Sequence, residues 1–245
     1  MSLIFLIPTA KEMQENIPKS TENIITPNAD ILQELAKLST DELSKKYKVS
    51  QTIAEKEKKH IALLEQQTAD IHPALLLFNG LMYRNIDREN LTPLNIEYIK
   101  QHIFITSALY GIIPAYAGIS PHRLDFNVPI QIDKLSLKNL WRENYNNFLK
   151  EENTYISLLS SEFENVFSPV HQKKLHTIKF LENKSGVLKS HSTISKKARG
   201  QFLNHAIKEN CLALSDIKKL SFNEFYYSTE LSTDNQSIFV KFIKN

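Results

Sequence analysis

The chain has 245 residues, 42% of them apolar and 23% charged, a balance that supports a folded core and excludes a disordered polymer. A formal net charge of +3 is too small for overall basicity, so any nucleic-acid contact has to come from local clustering of cations. A single cysteine, Cys211, excludes an internal disulfide framework and fits a reducing cytosol, where it is expected to be a structural thiol.

Residues 3–7, Leu-Ile-Phe-Leu-Ile, form an apolar run without alternation, as expected of a strand buried on both faces. The run stops at Pro8 and is too short for a signal-peptide core. No stretch reaches the ~20 apolar residues of a bilayer span, so a cytoplasmic protein without a membrane partner is expected. The strand delivers Lys11 at its carboxyl end, the edge where ligands collect in open α/β sheets. Residues 12–28 read as a polar loop. Asn28 is placed to cap a helix with Ile31, Leu32, Leu35 and Leu38 on one face. Ser39 and Glu42 form a capping-box pattern for a short second helix. Ser50 opens a longer one, with Ile53, Ala54, Glu57, Ile61 and Leu64 at helical spacing.

Residues 75–78 are an apolar run ended by Asn79-Gly80, either a buried strand or a helix end. Thr92-Pro93 starts a helix with Ile96, Ile99 and Ile103 as its stripe. Residues 102–126 then hold two of the five glycines, Gly111 and Gly118, with Pro114 and Pro121. An irregular loop following the buried run 103–105 delivers Tyr110, His122, Arg123 and Asp125, which is the shape of a site. Residues 128–132 read as a strand. Residues 136–150 form the clearest helix, with Leu137, Leu140, Trp141, Tyr145, Phe148 and Leu149 on its packing face.

Residues 154–159 read as a strand leading to Ser160, Ser161 and Glu162, with one of the serines as a helix cap. Residues 174–182 and 187–190 read as a hairpin around 183–186. Thr193 opens a helix to about residue 210, with Lys196, Lys197 and Arg199 in its first turns. Cations there oppose the helix dipole and create an anion site. Ser215 is placed to cap a last short helix, and 225–227 with 238–240 should close a hairpin. Interleaved strands and helices without a repeat or a long linker predict one α/β domain over 1–245, a mixed sheet flanked by helices.

Nucleotide-binding glycine loops, zinc-ligand spacings and a G-x-S-x-G elbow are all absent, so neither a cofactor nor a metal is expected. The five cations Lys11, Arg123, Lys196, Lys197 and Arg199 all fall at strand ends, loops or a helix start. If they converge they line a cleft suited to phosphodiester backbones. The polar groups Tyr110, Asp125 and Glu162, with Arg123 as an anion clamp, leave open an enzyme acting on a nucleotide, a nucleobase or another small anionic substrate.

Several ordered motifs carry a family resemblance. Residues 107–111 (Ser-Ala-Leu-Tyr-Gly) and 121–125 (Pro-His-Arg-Leu-Asp) resemble the S-G-L-Y-G and P-Y-R-L-E/D signatures of the bacterial YaaA peroxide stress family. Pro8-Thr9-Ala10-Lys11 is similar to its S-P-A-K, and 78–83 to its F-x-G-x-V-Y. Trp141 matches its lone tryptophan, 158–163 its L-A-S-x-E-Y, and Lys196-Lys197-Ala198-Arg199-Gly200 its K-K-A-R-G without change. The chain departs from L-R-P-x-D at Ile113-Pro114-Ala115-Tyr116-Ala117, and has Arg142-Glu143 where the family has Gly-Asp. The resemblance implies a YaaA-like fold, binding of double-stranded or structured DNA without sequence preference, and protection against hydrogen peroxide through less iron-driven damage. Within 107–114, Leu109-Tyr110-Gly111-Ile112-Ile113 also resembles a helix-hairpin-helix turn, with Tyr110 and Gly111 at the turn; a tight turn in a core is the alternative. A monomer is expected.

Overall fold

The first strand, β1 (Leu3–Pro8), is the spine of the sheet in the computed structural model, which describes residues 2–243. Three helices follow it: α1 (Ala29–Ala36), α2 (Thr40–Tyr47) and α3 (Gln51–Glu65). The chain continues through β2 (His72–Pro73), α4 (Ala74–Leu77), a 3-10 turn at Tyr83–Asn85 and α5 (Pro93–His102). β3 (Ile103–Ser107) and β4 (Gly111–Pro114) form a hairpin, and β5 (Gly118–Ile119) pairs with β2. A small hairpin, β6 (Gln131–Ile132) and β7 (Leu135–Ser136), leads into α6 (Leu137–Phe148). Then come β8 (Thr154–Ser157), α7 (Ser161–Glu164), α8 (Pro169–Gln172), β9 (Leu175–Lys184) and β10 (Val187–Lys189). The chain closes with α9 (Ser192–Lys208), α10 (Leu214–Ile217), β11 (Ser221–Phe222), β12 (Phe225–Tyr227) and β13 (Gln236–Ile243).

The main sheet is mixed, in the order β11-β12-β13-β9-β8-β1-β3-β4, with β10 paired to β9. Its centre, β13-β9-β8-β1-β3, is parallel, and antiparallel strands finish both edges. β1 has no polar position because helices cover both of its faces. Phe5 meets Phe202 of α9 at 6.5 Å between ring centroids, while Phe104 meets Phe148 of α6 at 5.1 Å. Phe5 pairs with Ile103, so Phe104 projects to the opposite face and the two contacts lie on opposite sides of the sheet. On the α9 side, Phe180, Phe202, Phe222, Phe225 and Phe239 form a buried aromatic cluster.

The helix caps follow the sequence closely. Asn28, Ser39, Thr92 and Ser136 each accept a first-turn N–H, and Ser39 with Glu42 completes its capping box. Ser50 occupies the cap position of α3 without a side-chain bond. Ser215 lies inside α10, whose start is held by the Asp216 carboxylate accepting from Leu212 and Ala213 N–H. Of the strand expected over 128–132, only Gln131–Ile132 is extended, and it pairs with its own hairpin.

No helix-hairpin-helix forms at 107–114. The alternation of Ile103 and Ile105 toward the core makes a strand, and Gly111 turns it back at φ +78°. The turn is also closed to an outside phosphate. Ser107 Oγ accepts the Leu109 and Tyr110 N–H groups, and Ala108, Leu109 and Tyr110 are buried.

Candidate functional site

The carboxyl ends of the parallel strands lie on one edge of the sheet, and the chain leaves β1 toward neighbours on both sides. Such an edge gathers loops that belong to no layer. Lys11 stands there, just past β1. Its loop is braced from below: Tyr83 donates its hydroxyl to Pro8 O at 2.8 Å, and Gly80 approaches Ala10 so closely that an added β-carbon would lie 2.7 Å from Ala10 Cβ. Arg84 pairs with Glu12 at 2.6 Å, and Arg88 donates to the carbonyls of Leu75, Leu76 and Phe78.

Lys11 Nζ reaches Asp125 Oδ2 at 2.6 Å, with Lys11 59% exposed and Asp125 only 12%. Burial pushes the Asp125 carboxyl up, but the Lys11 ammonium and the Asn127 N–H outweigh it and hold the carboxyl below its ordinary range. Glu162, at the start of α7 beyond β8, lies beside it. Burial first, and the Asp125 carboxylate next, push the Glu162 carboxyl up. The two neighbouring carboxyls are thus pushed apart, Asp125 toward its charged form and Glu162 toward its neutral one. Glu162 Oε1 is buried without a hydrogen-bond partner.

Arg123 brackets the pair from the loop after β5. Its guanidinium donates from Nη1 to Lys11 O at 3.1 Å, and its backbone N–H donates to Glu57 Oε1 at 2.8 Å. Glu57 projects from the packed face of α3 and is 3% exposed. Burial pushes its carboxyl up, against the hydrogen bonds from His60 and the Arg123 N–H. His60 in turn faces Glu15, which pairs with Lys56 at 2.6 Å. Tyr47, at the end of α2, is buried, and its hydroxyl has no partner although Glu57, Asp125 and Arg123 are its electrostatic neighbours. Burial, then Glu57 and Asp125, raise that phenol well above its ordinary value.

Tyr110 is buried one layer down. Its hydroxyl accepts the Ser120 N–H at 3.2 Å, its ring meets His122 edge-on at 5.0 Å, and burial pushes the phenol up to about 12. It supports the loop rather than facing Asp125 or Glu162.

Lys11, Arg123, Asp125 and Glu162 therefore come together. The cations of α9 fan out instead. β10 pairs with the carboxyl end of β9, so α9 also begins at the carboxyl edge of the sheet. Lys196 and Lys197 are exposed, and no acidic residue occupies the first turn. Lys197 lines a hollow with Glu182, Asn223, Phe225 and Lys241, beside the extended ends of β9 and β13. Arg199 turns the other way and is half-buried, with its Nε unpartnered. Burial lowers its guanidinium, and Glu164 of α7 opposes this. Among the described residues no group of three His, Cys, Asp or Glu side chains is placed to hold a metal ion.

Tyr47, Glu57 and His60 escape the sequence reading of the site. Glu57 had a signal, a carboxylate at buried spacing in an otherwise apolar stripe. Tyr47 had none, since an aromatic there reads as core.

The chain matches, over residues 3–231, the family described as Peroxide stress protein YaaA. It is 50% identical to UPF0246 protein SUB1767 of Streptococcus uberis over 239 residues, covering 98% of each chain. It is 46% identical to UPF0246 protein str1967 of Streptococcus thermophilus over 241 residues, again 98% of each. A UPF0246 protein of Streptococcus gordonii is 45% identical over 237 residues, 96% of this chain and 97% of that one.

Proposed function

Because the chain belongs to the family described as Peroxide stress protein YaaA, a part in the peroxide stress response follows from membership, and we propose that it fills this part as a DNA-binding protein. It takes double-stranded or distorted DNA through phosphate contacts, without reading bases. It limits iron-driven oxidative damage by covering the DNA rather than by holding iron. The observation that carries this reading is the shared edge. Exposed Lys196 and Lys197, at an acid-free helix start, lie on the same carboxyl edge as Lys11 and Arg123. Among the described residues, Lys196 and Lys197 make no ion pair, so both charges are free for phosphate.

The test is duplex binding across a salt series. Lys196→Glu with Lys197→Glu leaves half-buried Arg199 in place, so the fold is spared. The double variant is expected to weaken binding at low salt by at least ~10-fold and to flatten the slope of log affinity against log salt by about 2. Unchanged affinity and slope would sink the reading.

One observation favours a second reading, an enzyme acting on a nucleotide, nucleobase or other small anionic substrate. Two carboxyls pushed in opposite directions, Asp125 down and Glu162 up, stand side by side at the strand edge, with Arg123 adjacent. A small molecule retained through purification and identified by mass spectrometry would support it.

A further inference from the structure

Among the described residues four buried polar atoms lack a hydrogen-bond partner: Tyr47 Oη, His122 Nε2, Glu162 Oε1 and Arg199 Nε. Two of them have Asp125 as a common neighbour. Tyr47 is 8% exposed, and its hydroxyl feels Glu57, Asp125 and Arg123; Glu162 feels Asp125 and Lys11. A buried hydroxyl and a buried carboxyl oxygen left empty around one charged pair cost stability unless something else fills them.

The free hydrogen-bonding capacity says what that something is. Asp125 is engaged by Lys11 Nζ and by the Asn127 N–H, and its other side is taken by the neighbouring Glu162 carboxyl. Glu57 is engaged at Oε1 by the Arg123 N–H and at Oε2 by His60. The remaining donors are the Tyr47 hydroxyl, the guanidinium N–H groups of Arg123 beyond the one on Lys11 O, and the exposed Lys11 ammonium at the rim. The remaining acceptor is Glu162 Oε1. A fitting ligand needs several negatively charged oxygens and one proton to give. A phosphate monoester meets both demands, because its second ionisation lies at about pH 6 and the monoanion keeps a P–OH. An internal phosphodiester and sulfate have no such proton near neutrality.

We propose that the edge around Asp125 is a binding site for a phosphate monoester carrying one proton. Its bare oxygens accept from Tyr47 and Arg123, and its P–OH donates to Glu162 Oε1. The charged and titratable groups facing this place are Lys11 from the loop after β1, Tyr47 from α2, and Glu57 and His60 from α3. The others are Arg123 and Asp125 from the loop after β5, Lys138 from α6, and Glu162 from α7. The ligand loses its proton as pH rises, and with it the donor to Glu162 Oε1, so binding weakens. The inference shares its location with the small-substrate reading and requires no turnover.

Calorimetric titration of the full chain with inorganic phosphate, adenosine 5′-monophosphate and sulfate tests it. A short duplex with and without a 5′-phosphate separates a free monoester from a nucleic-acid end. Phosphate and the monophosphate are expected to bind at about pH 6, sulfate at least ~10-fold more weakly, and phosphate to weaken toward about pH 8. Tyr47→Phe removes only the empty hydroxyl, so it should keep the melting temperature and lose ~10-fold in phosphate affinity. Arg123→Gln is expected to lose at least as much. Sulfate binding as tightly as phosphate, Tyr47→Phe binding phosphate like the unchanged protein, or no phosphate binding at millimolar concentration would each overturn the site. Phosphate bound without any turnover would count against the enzyme reading and leave the site standing.

Discussion

Lys11 Nζ lies 2.6 Å from Asp125 Oδ2, joining the loop after β1 to the loop after β5. Lys11 is largely in water, and an exposed ion pair of this kind contributes only ~1 kcal/mol or less to stability. Its larger effect is on protonation. Burial alone would favour neutral Asp125, and Lys11 is the strongest influence reversing that preference. Once Asp125 is ionised, its charge joins burial in pushing the Glu162 carboxyl up. Lys11 thereby favours charge on Asp125 over charge on Glu162.

Opposite pH signs are expected for the two carboxyls. Asp125 is held below its ordinary 3.8, so its contribution is present above that value and is lost as pH falls through the lower folded-state value. Lys11→Met should remove that contribution near neutrality and match the unchanged protein in strong acid. Glu162 is raised above 4.5, so its contribution is present below 4.5 and is lost as pH rises through the folded-state value. Glu162→Gln should therefore gain stability near neutrality and gain nothing in acid. Urea unfolding from acid to neutral pH measures both, and a gain for Glu162→Gln that persists in acid would contradict the assignment.

Gly111 and Trp141 form a second pair whose coupling is measurable. Gly111 sits at φ +78°, and an added β-carbon would lie 2.7 Å from Trp141 Cζ3. The indole cannot retreat freely, because its Nε1–H donates to Ala108 O at 2.9 Å. Gly111→Ala should cost ~3 kcal/mol from backbone strain and overpacking together. Trp141→Leu removes the clash and leaves the strain, so the double variant should cost less than the sum of the single ones. Strict additivity in denaturant melts would mean that the ring does not press on this glycine.

Much of this architecture is legible in the residues, and the exceptions have physical causes. β1 reads as doubly buried because nothing in it is polar, and the caps at Asn28, Ser39, Thr92 and Ser136 read directly from side-chain chemistry. Lys11 and Glu162 follow as the polar groups just past buried strands. Strand order is not legible, since pairing β8 beside β1 depends on contacts far apart in the chain. The basic run at 196–199 reads as one patch, yet residues two apart on a helix lie ~200° around its axis. Lys197 and Arg199 accordingly face different surroundings. The turn at 107–111 resembles a phosphate-binding hairpin in letters alone, because Ser107 consumes the amides such a motif would offer.

Gly200 offers a test in which the usual sign reverses. Replacing a glycine inside a helix by alanine normally stabilises by ~1 kcal/mol. Here α9 runs against the 3-10 turn at Tyr83–Asn85, and a β-carbon at Gly200 would collide with Met82 O and lie 2.8 Å from Asn85 Cβ. Neither obstacle is the end of a flexible chain. Gly200→Ala should therefore destabilise, by about 1–3 kcal/mol as overpacked sites do. Because that turn also holds Tyr83 against Pro8 O, the loop carrying Lys11 should loosen with it. Hydrogen exchange at residues 9–12 reads this directly, and a stabilised Gly200→Ala variant would refute the packing.

His122 gives the sharpest pH dependence. It is 3% exposed, its Nδ1 meets Ser120 O at 2.9 Å, and its Nε2 is buried without a partner. The carbonyl requires Nδ1–H, so the neutral ring leaves Nε2 bare, and a proton added there would be buried without an acceptor. Burial lowers the imidazole from 6.5 to about 4, against the Ser120 carbonyl, and His60 pushes the same way. Between those values the unfolded chain binds a proton that the folded one refuses, so stability falls as pH drops through the window. The gap corresponds to ~3 kcal/mol of acid sensitivity. His122→Asn keeps a donor for Ser120 O and removes the titration. Relative to the unchanged protein, it should lose less stability between pH 6.5 and about 4. Parallel curves for the two proteins, or an imidazole resonance that titrates near its ordinary value, would show that the buried nitrogen has a partner after all.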